Sequence, residues 1–336
     1  MSPDVRKSGP PESLSSASSD NNISTLPPPK LPALFKLADK FNIQRHLVAC
    51  VMCEFFCSFF LMYGGSAISL VQTIQSRTSG ENNHPYGIAV GWGLWLLLAN
   101  YIGSQISGPH MNPAFSLLFY WVGQIEFKRV IYYSIAQFFG FFAGSLLCFL
   151  VYFDAISDYD GGIRQVDGPN GTAGAFATYP RPYLSIIGAF MDQLLTTGML
   201  ALIVLAVSDD RNKVPKGARP AIVGIGLWCI VSMWSHNCGA ALNPARDFGP
   251  RFMTLVVGYG WGVISYNNYT WFWIPIVAPM FGSILGYYVY NFFLGEMLMV
   301  NDLPPVKSER QLAGVSSSTD LRMTSSDSVR KPYVPA

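Results

Sequence analysis

Six long apolar stretches constrain the fold of this chain more than any other feature. They occupy residues 47–71, 86–106, 130–153, 183–207, 218–235 and 270–294. A helix that crosses a bilayer needs about 20 mostly apolar residues, and each stretch reaches or approaches that length. Half of the 336 residues are hydrophobic and only 12% are charged, which favours a polytopic membrane protein over a soluble domain. The sequence therefore predicts an all-α membrane protein with six transmembrane helices.

Two identical tripeptides interrupt this pattern, Asn112-Pro113-Ala114 and Asn243-Pro244-Ala245. Each is followed by an apolar run too short to span a bilayer, residues 114–122 and 245–257. Asparagine is a good N-cap and proline is tolerated in the first helical turn, so each tripeptide predicts the start of a half-helix. Non-helical backbone in the membrane persists only where it is buried in protein or lines a polar cavity. The sequence thus predicts two re-entrant half-helices beside a pore.

The two halves of the chain carry the same landmarks in the same order. Glu54-Phe55-Phe56 in the first stretch corresponds to Gln193-Leu194-Leu195 in the fourth. Because each half has three spans, the second half must be inverted in the membrane, which gives an inverted repeat of about 47–156 and about 183–295. A carboxylate in hydrocarbon needs partners, so we expect Glu54 and Gln193 to brace the backbone N–H groups of the two re-entrant loops. We expect His110 to hydrogen-bond the loop backbone.

Polar tails flank the predicted channel domain, residues 46–296. Residues 1–45 and 297–336 are rich in serine and proline and predict disordered tails. Lysine and arginine concentrate before the first and third spans and between the fourth and fifth, which predicts that both termini are cytoplasmic. The sequons at Asn170 and Asn268 then fall in external loops and are candidate glycosylation sites.

Residues 47–295 resemble the major intrinsic proteins, the aquaporin family, and within it the glycerol-conducting branch. The paired tripeptides, Arg246 directly after the second, and the segment 107–112 carry this resemblance, although Pro109 replaces the usual alanine. The resemblance implies a homotetrameric passive channel for glycerol, water and small uncharged solutes such as urea. Asn112 and Asn243 would donate hydrogen bonds to a passing oxygen, and no cofactor would be needed.

The branch assignment and the outer constriction rest on further positions. Asp247 and Arg251, spaced i, i+4, can pair on the second half-helix. Together with Pro275 and Ile276 in the sixth span, they match the glycerol branch. The resemblance places the selectivity filter at Trp92, Val231, Ala240 and Arg246. Because alanine stands at position 240, where many glycerol channels have an aromatic residue, we expect a wide mouth.

Two other functions remain compatible with the predicted fold. A strict water channel has the same architecture with a narrower filter, and a secondary transporter also uses inverted repeats and broken helices. The chain offers no catalytic constellation, metal-ligand cluster or nucleic-acid motif, so we do not expect an enzyme. We expect a multi-pass protein of the plasma membrane, with the lipid bilayer as its surroundings.

Overall fold

The computed structural model describes residues 31–78 and 85–299, and within these ranges it contains helices and no strands. In chain order the α-helices are α1 (Ala33–Lys40), α2 (Arg45–Thr78), α3 (Pro85–Gly103), α4 (Pro113–Trp121), α5 (Phe127–Val151), α6 (Phe153–Asp160), α7 (Ile186–Ser208), α8 (Arg219–Cys238), α9 (Pro244–Thr254), α10 (Gly262–Ser265), α11 (Ile274–Tyr290) and α12 (Glu296–Leu298). Residues Leu255–Tyr259 continue α9 and are kinked at Gly258, whose φ is 101°, and a π-helical segment, Asn291–Gly295, follows α11.

Six of these helices are long and apolar enough to cross a membrane, which confirms the prediction of six transmembrane segments. They are α2, α3, α5, α7, α8 and α11 with its continuation. Helix α2 runs past the predicted end of its stretch. Its polar side chains do not break it, because the hydroxyls of Ser69 and Thr73 donate to the carbonyls of Gly65 and Ser69, four residues earlier.

The structure contains both half-helices, and each begins at the proline of its Asn-Pro-Ala tripeptide. Pro113 and Pro244 occupy the first turns of α4 and α9. The Asn112 side chain accepts from the Ala114 N–H at 2.9 Å, and the Asn243 side chain accepts from the Ala245 N–H at 3.0 Å. These caps satisfy N–H groups that would otherwise have no partner at the helix start.

Glycines allow the same close helix packing in each half. A Cβ at Gly140 or Gly144 on α5 would overlap the Phe55 and Phe59 carbonyls of α2. In the second half, α11 packs against α7 in the same way: a Cβ at Gly282 or Gly286 would overlap the carbonyls of residues 194 and 198. Small residues at such contacts let membrane helices approach closely. The repeat therefore extends to the helix packing.

Helices α1 and α6 are among the short helices that lie outside the predicted spans. Helix α1 lies within residues 1–45, where we expect disorder, so residues 33–40 depart from that expectation. Helix α6 follows the third span and ends at Gly161, whose φ of 69° suits a glycine C-cap. Just beyond it, Arg164 pairs with the buried Asp160 at 2.7 Å. Residues 1–30 and 300–336, most of the predicted tails, lie outside the described residues.

Candidate solute pore

A cavity of about 1350 Å³ runs through the helical bundle. It extends from Asp167 and Tyr266 in loops at one end to Lys216 and Arg219, at the start of α8, at the other. Its wall includes both half-helix caps and all four residues of the expected selectivity filter: Trp92, Asn112, Val231, Ala240, Asn243 and Arg246. Residues far apart in the sequence thus meet around one passage.

The two Asn-Pro turns are cross-linked at the middle of this cavity. The Asn112 side-chain nitrogen donates to the Leu242 carbonyl at 2.9 Å, and that of Asn243 donates to the Met111 carbonyl at 2.6 Å. Met111 and Leu242 have φ values of 48° and 55°, which are unfavourable for non-glycine residues. A side-chain amide nitrogen carries two hydrogens, so each asparagine keeps one hydrogen beyond its cross-link.

Glu54 holds the first re-entrant loop by accepting four hydrogen bonds. Its Oε1 accepts from the Ser107 hydroxyl at 3.1 Å and from the His110 backbone N–H at 2.9 Å. Its Oε2 accepts from the Met111 backbone N–H at 2.8 Å and from Gln137 Nε2 at 2.9 Å. Glu54 is fully buried, so these donors replace its hydration.

Gln193 occupies the matching position in the second half. Its Oε1 accepts from the backbone N–H groups of Ala241 and Leu242 at 3.1 and 3.2 Å. Its Nε2 donates to the Gly239 carbonyl at 3.0 Å. The repeat therefore places a carboxylate against one loop and an amide against the other. The amide suits the second loop because that loop also presents a carbonyl.

The His110 ring contacts a side chain and not the loop backbone, in contrast to the expectation. Gln137 Nε2 donates to the Ser116 hydroxyl at 3.1 Å, and that hydroxyl lies 3.1 Å from His110 Nδ1. The Ser116 hydroxyl, which can both accept and donate, thus links Gln137 to the His110 ring. Ser116 lies in the first turn of α4, which brings its hydroxyl within reach of the ring.

Trp92 and Arg246 form one side of the passage. The Arg246 guanidinium carbon lies 4.3 Å from the Trp92 ring centroid, and its Nη1 donates to the Phe176 carbonyl at 2.9 Å. Trp92 donates from Nε1 to the Ser69 hydroxyl at 3.0 Å, which fixes the plane of the ring. Trp92 lies against Gly65, where a Cβ would overlap the ring.

Asp247 and Arg251 pair within α9 and are both fully buried. Arg251 Nη2 lies 2.8 Å from the Asp247 carboxylate and 2.6 Å from the Thr178 carbonyl, to which it also donates. Asp247 in turn accepts from the Thr178 N–H at 2.8 Å. Thr178 and Phe176, which the sequence reasoning missed, tie the loop between α6 and α7 to the half-helix that carries Arg246.

Pro275 and Ile276 lie at the start of α11, outside the cavity wall. Pro275 is buried in the first turn, where a missing N–H costs no helical hydrogen bond. Of the two sequons, Asn268 is exposed, whereas Asn170 is half-buried and its Thr172 is fully buried. Thr172 bonds the Tyr259 hydroxyl at 2.6 Å, so a glycan at Asn170 would emerge beside a packed cluster.

An ion pair anchors the loop between α7 and α8. Asp209 accepts from Arg211 Nη2 at 2.6 Å and from the Tyr290 hydroxyl at 2.8 Å, and Arg211 Nη1 donates to the Gly295 carbonyl. Burial alone would raise the pKa of Asp209, but the hydrogen bonds from Arg211 and Tyr290 lower it to about 2.

The lowered pKa of Asp209 predicts a loss of stability in acid. The stabilisation is complete above the unfolded-state pKa of about 3.9 and is lost as the pH falls towards 2. Asp209→Asn should therefore be less stable than the parent at pH 6, and the two should converge near pH 2. Thermal unfolding of both proteins across this range measures the effect, and a constant difference between them would contradict it.

Comparisons with known proteins agree with this geometry. Residues 41–290 match the family described as Major intrinsic protein. The chain is 40% identical to aquaporin-10 of Homo sapiens, over 74% of this chain and 82% of that protein. It is 39% identical to aquaporin-4 of Milnesium tardigradum, over 77% of this chain and 74% of that protein.

A solved structure shows the same architecture. The X-ray structure of the aquaglyceroporin from Plasmodium falciparum is similar, with a TM-score of 0.67 and 29% identity. The similarity covers 76% of this chain and 99% of that one. Six membrane-spanning helices, two capped half-helices and these relatives lead to one conclusion: the chain is a multi-pass membrane protein that belongs to the major intrinsic protein family, the aquaporins.

Proposed function

We propose that this protein is a passive channel for glycerol and other small uncharged solutes, including urea, that also conducts water and excludes protons and ions. The observation that carries the proposal is the filter, in which the Trp92–Arg246 pair faces a cavity whose other filter positions, Val231 and Ala240, are small or aliphatic. Aquaporin-10 is similar in sequence, and the Plasmodium aquaglyceroporin is similar in fold.

The chemistry of this wall suits an amphipathic polyol. The part of the Trp92 ring that lines the cavity beside the stacked Arg246 guanidinium offers an apolar surface to the carbon chain. Arg246 and the second hydrogens of Asn112 and Asn243 offer donors to its hydroxyls. The N-termini of α4 and α9 each add about half a positive charge near the two asparagines. Together with Arg246, this field opposes protons and cations but not neutral solutes.

We propose that the protein forms a homotetramer in the plasma membrane with both termini in the cytoplasm. The basic residues between α7 and α8 support this orientation by the positive-inside rule: Arg211, Lys213, Lys216 and Arg219. This orientation places Asn268 outside, where it is the better exposed of the two candidate glycosylation sites.

Stopped-flow light scattering on proteoliposomes tests the proposed solute range directly. We expect fast osmotic water flux together with rapid reswelling in glycerol and urea, and loss of all three on Arg246→Glu. Water flux without glycerol flux would overturn the proposal in favour of a strict water channel. Saturable, ion-dependent glycerol flux would instead indicate a secondary transporter.

Ala240 is expected to set the upper limit of solute size. Ala240→Phe should lower the flux of a five-carbon polyol on the order of tenfold, because a steric barrier of about 1.4 kcal/mol suffices for that factor. Water and glycerol flux should change by less than about threefold. The same stopped-flow assay measures each solute, and Ala240→Ser, which keeps a small side chain, is the control. Equal loss for all solutes would show that position 240 does not select by size.

A further inference from the structure

Helix α1 carries an exposed apolar stripe that the pore does not use. Leu34, Leu37 and Phe41 follow the helical spacing i, i+3, i+7 and are 42%, 52% and 65% exposed. Lys36 and Lys40, both exposed, lie one turn apart on the flank of this stripe. An apolar stripe beside lysines is typical of helices that lie in the interface of a membrane.

The charge on α1 is one-sided. Its single acidic residue, Asp39, pairs with Arg45 at 2.6 Å, which leaves Lys36 and Lys40 without a competing carboxylate on the helix. The uncompensated positive charge complements an anionic surface. Such a surface is close, because the membrane-spanning helix α2 begins at Arg45. Five residue steps from Lys40 span at most about 18 Å.

We propose that α1 binds the headgroups of anionic phospholipids in the leaflet that borders the start of α2. Leu34, Leu37 and Phe41 enter the boundary between headgroups and acyl chains, and Lys36 and Lys40 pair with lipid phosphates. Helices shorter than about 12 residues are marginal in water, so lipid contact stabilises this eight-residue helix. The proposal rests on insertion of α2 and not on which solute the channel conducts.

Hydrogen exchange of the full-length protein in nanodiscs tests this binding. We compare phosphatidylcholine alone with an equal mixture of phosphatidylcholine and phosphatidylglycerol. Each lysine near an anionic surface contributes about a fivefold factor, so amides of residues 34–41 should exchange about 25-fold more slowly in the mixture. Lys36→Gln/Lys40→Gln should abolish that difference, and Leu37→Ser/Phe41→Ser should remove protection in both lipids.

Lys213→Gln serves as the matched control, because Lys213 is an exposed lysine in the loop between α7 and α8. It should keep the full lipid-dependent protection. Protection that is equal in both lipids and survives the lysine substitutions would show that α1 docks on protein, which overturns the proposal. Absence of protection both in phosphatidylcholine alone and in the mixture would overturn it as well. Glycerol flux measured in parallel separates this outcome from failure of the proposed channel function, since exchange does not depend on conduction.

Discussion

Replacement of Arg251 by leucine is expected to destabilise the protein by about 3–5 kcal/mol, the usual cost of leaving one member of a buried ion pair unpaired. Both Arg251 and Asp247 are fully buried, so no water can replace the lost partner. The Val263 carbonyl also loses its donor, and the Thr178 carbonyl keeps only that from Trp271 Nε1. The change is measured as the thermal unfolding midpoint of the purified protein and the fraction that remains monodisperse.

Two companion variants make this prediction specific. Arg219→Gln breaks the ion pair between Arg219 and Asp210, whose two side chains are 17% and 54% exposed respectively. This change should lower the free energy of unfolding by less than about 1 kcal/mol. The double variant Asp247→Asn/Arg251→Leu removes both charges and should be more stable than Arg251→Leu alone. If the double variant instead loses the sum of the two single effects, the buried charge is not the cause.

Glu54→Gln is expected to disable the pore although it changes one atom and one charge. Each Glu54 oxygen accepts two hydrogen bonds, so a side-chain NH₂ at either position would face two donors. A buried donor without an acceptor costs about 1–3 kcal/mol, which gives about 2–6 kcal/mol for two. Because the donors at Oε2 include the Met111 N–H, the turn that Asn243 contacts should shift, and glycerol and water flux should fall at least about tenfold.

The measurement is the glycerol and water flux of Glu54→Gln, normalised to the amount of correctly folded protein. Ser107→Ala is the control, because it removes one of the four hydrogen bonds to Glu54. That control should retain most of the flux. The converse change, Gln193→Glu, should also fail, because a carboxylate oxygen would replace the Nε2 that donates to the Gly239 carbonyl. Normal flux in Glu54→Gln would show that Glu54 does not hold the loop in its conducting form.

The pore centre could be predicted from sequence because its determinants are local. An asparagine followed by proline specifies a capped helix start, and the length of the run that follows shows that the helix cannot span the bilayer. Glu54 and Gln193 became candidates through the repeat, which requires no knowledge of the fold. In the structure Glu54 accepts from the His110 backbone N–H and Gln193 from the Ala241 backbone N–H.

The contacts of the loop between α6 and α7 could not be predicted in this way. Phe176 and Thr178 contribute backbone groups, and no side-chain pattern reports which carbonyl an arginine will reach. Both residues lie in an irregular segment without hydrophobic periodicity. Nothing in the sequence therefore indicates that this segment packs over α9. Helix α1 was missed for a different reason, since an eight-residue amphipathic pattern is too short to outweigh the polar composition of a tail.

The reciprocal bonds between the asparagine amides and the Met111 and Leu242 carbonyls have a consequence for biosynthesis. Their partners lie 130 and 132 residues apart in the sequence. While the first half of the nascent chain is already in the membrane, the Met111 carbonyl and the Asn112 amide still lack the partners that the second half supplies. The first half alone therefore lacks the hydrogen bonds that link its Asn-Pro turn to the second half. If the two halves are expressed from separate mRNAs, we expect purification of one half to recover the other half with it. Either half expressed alone should be degraded.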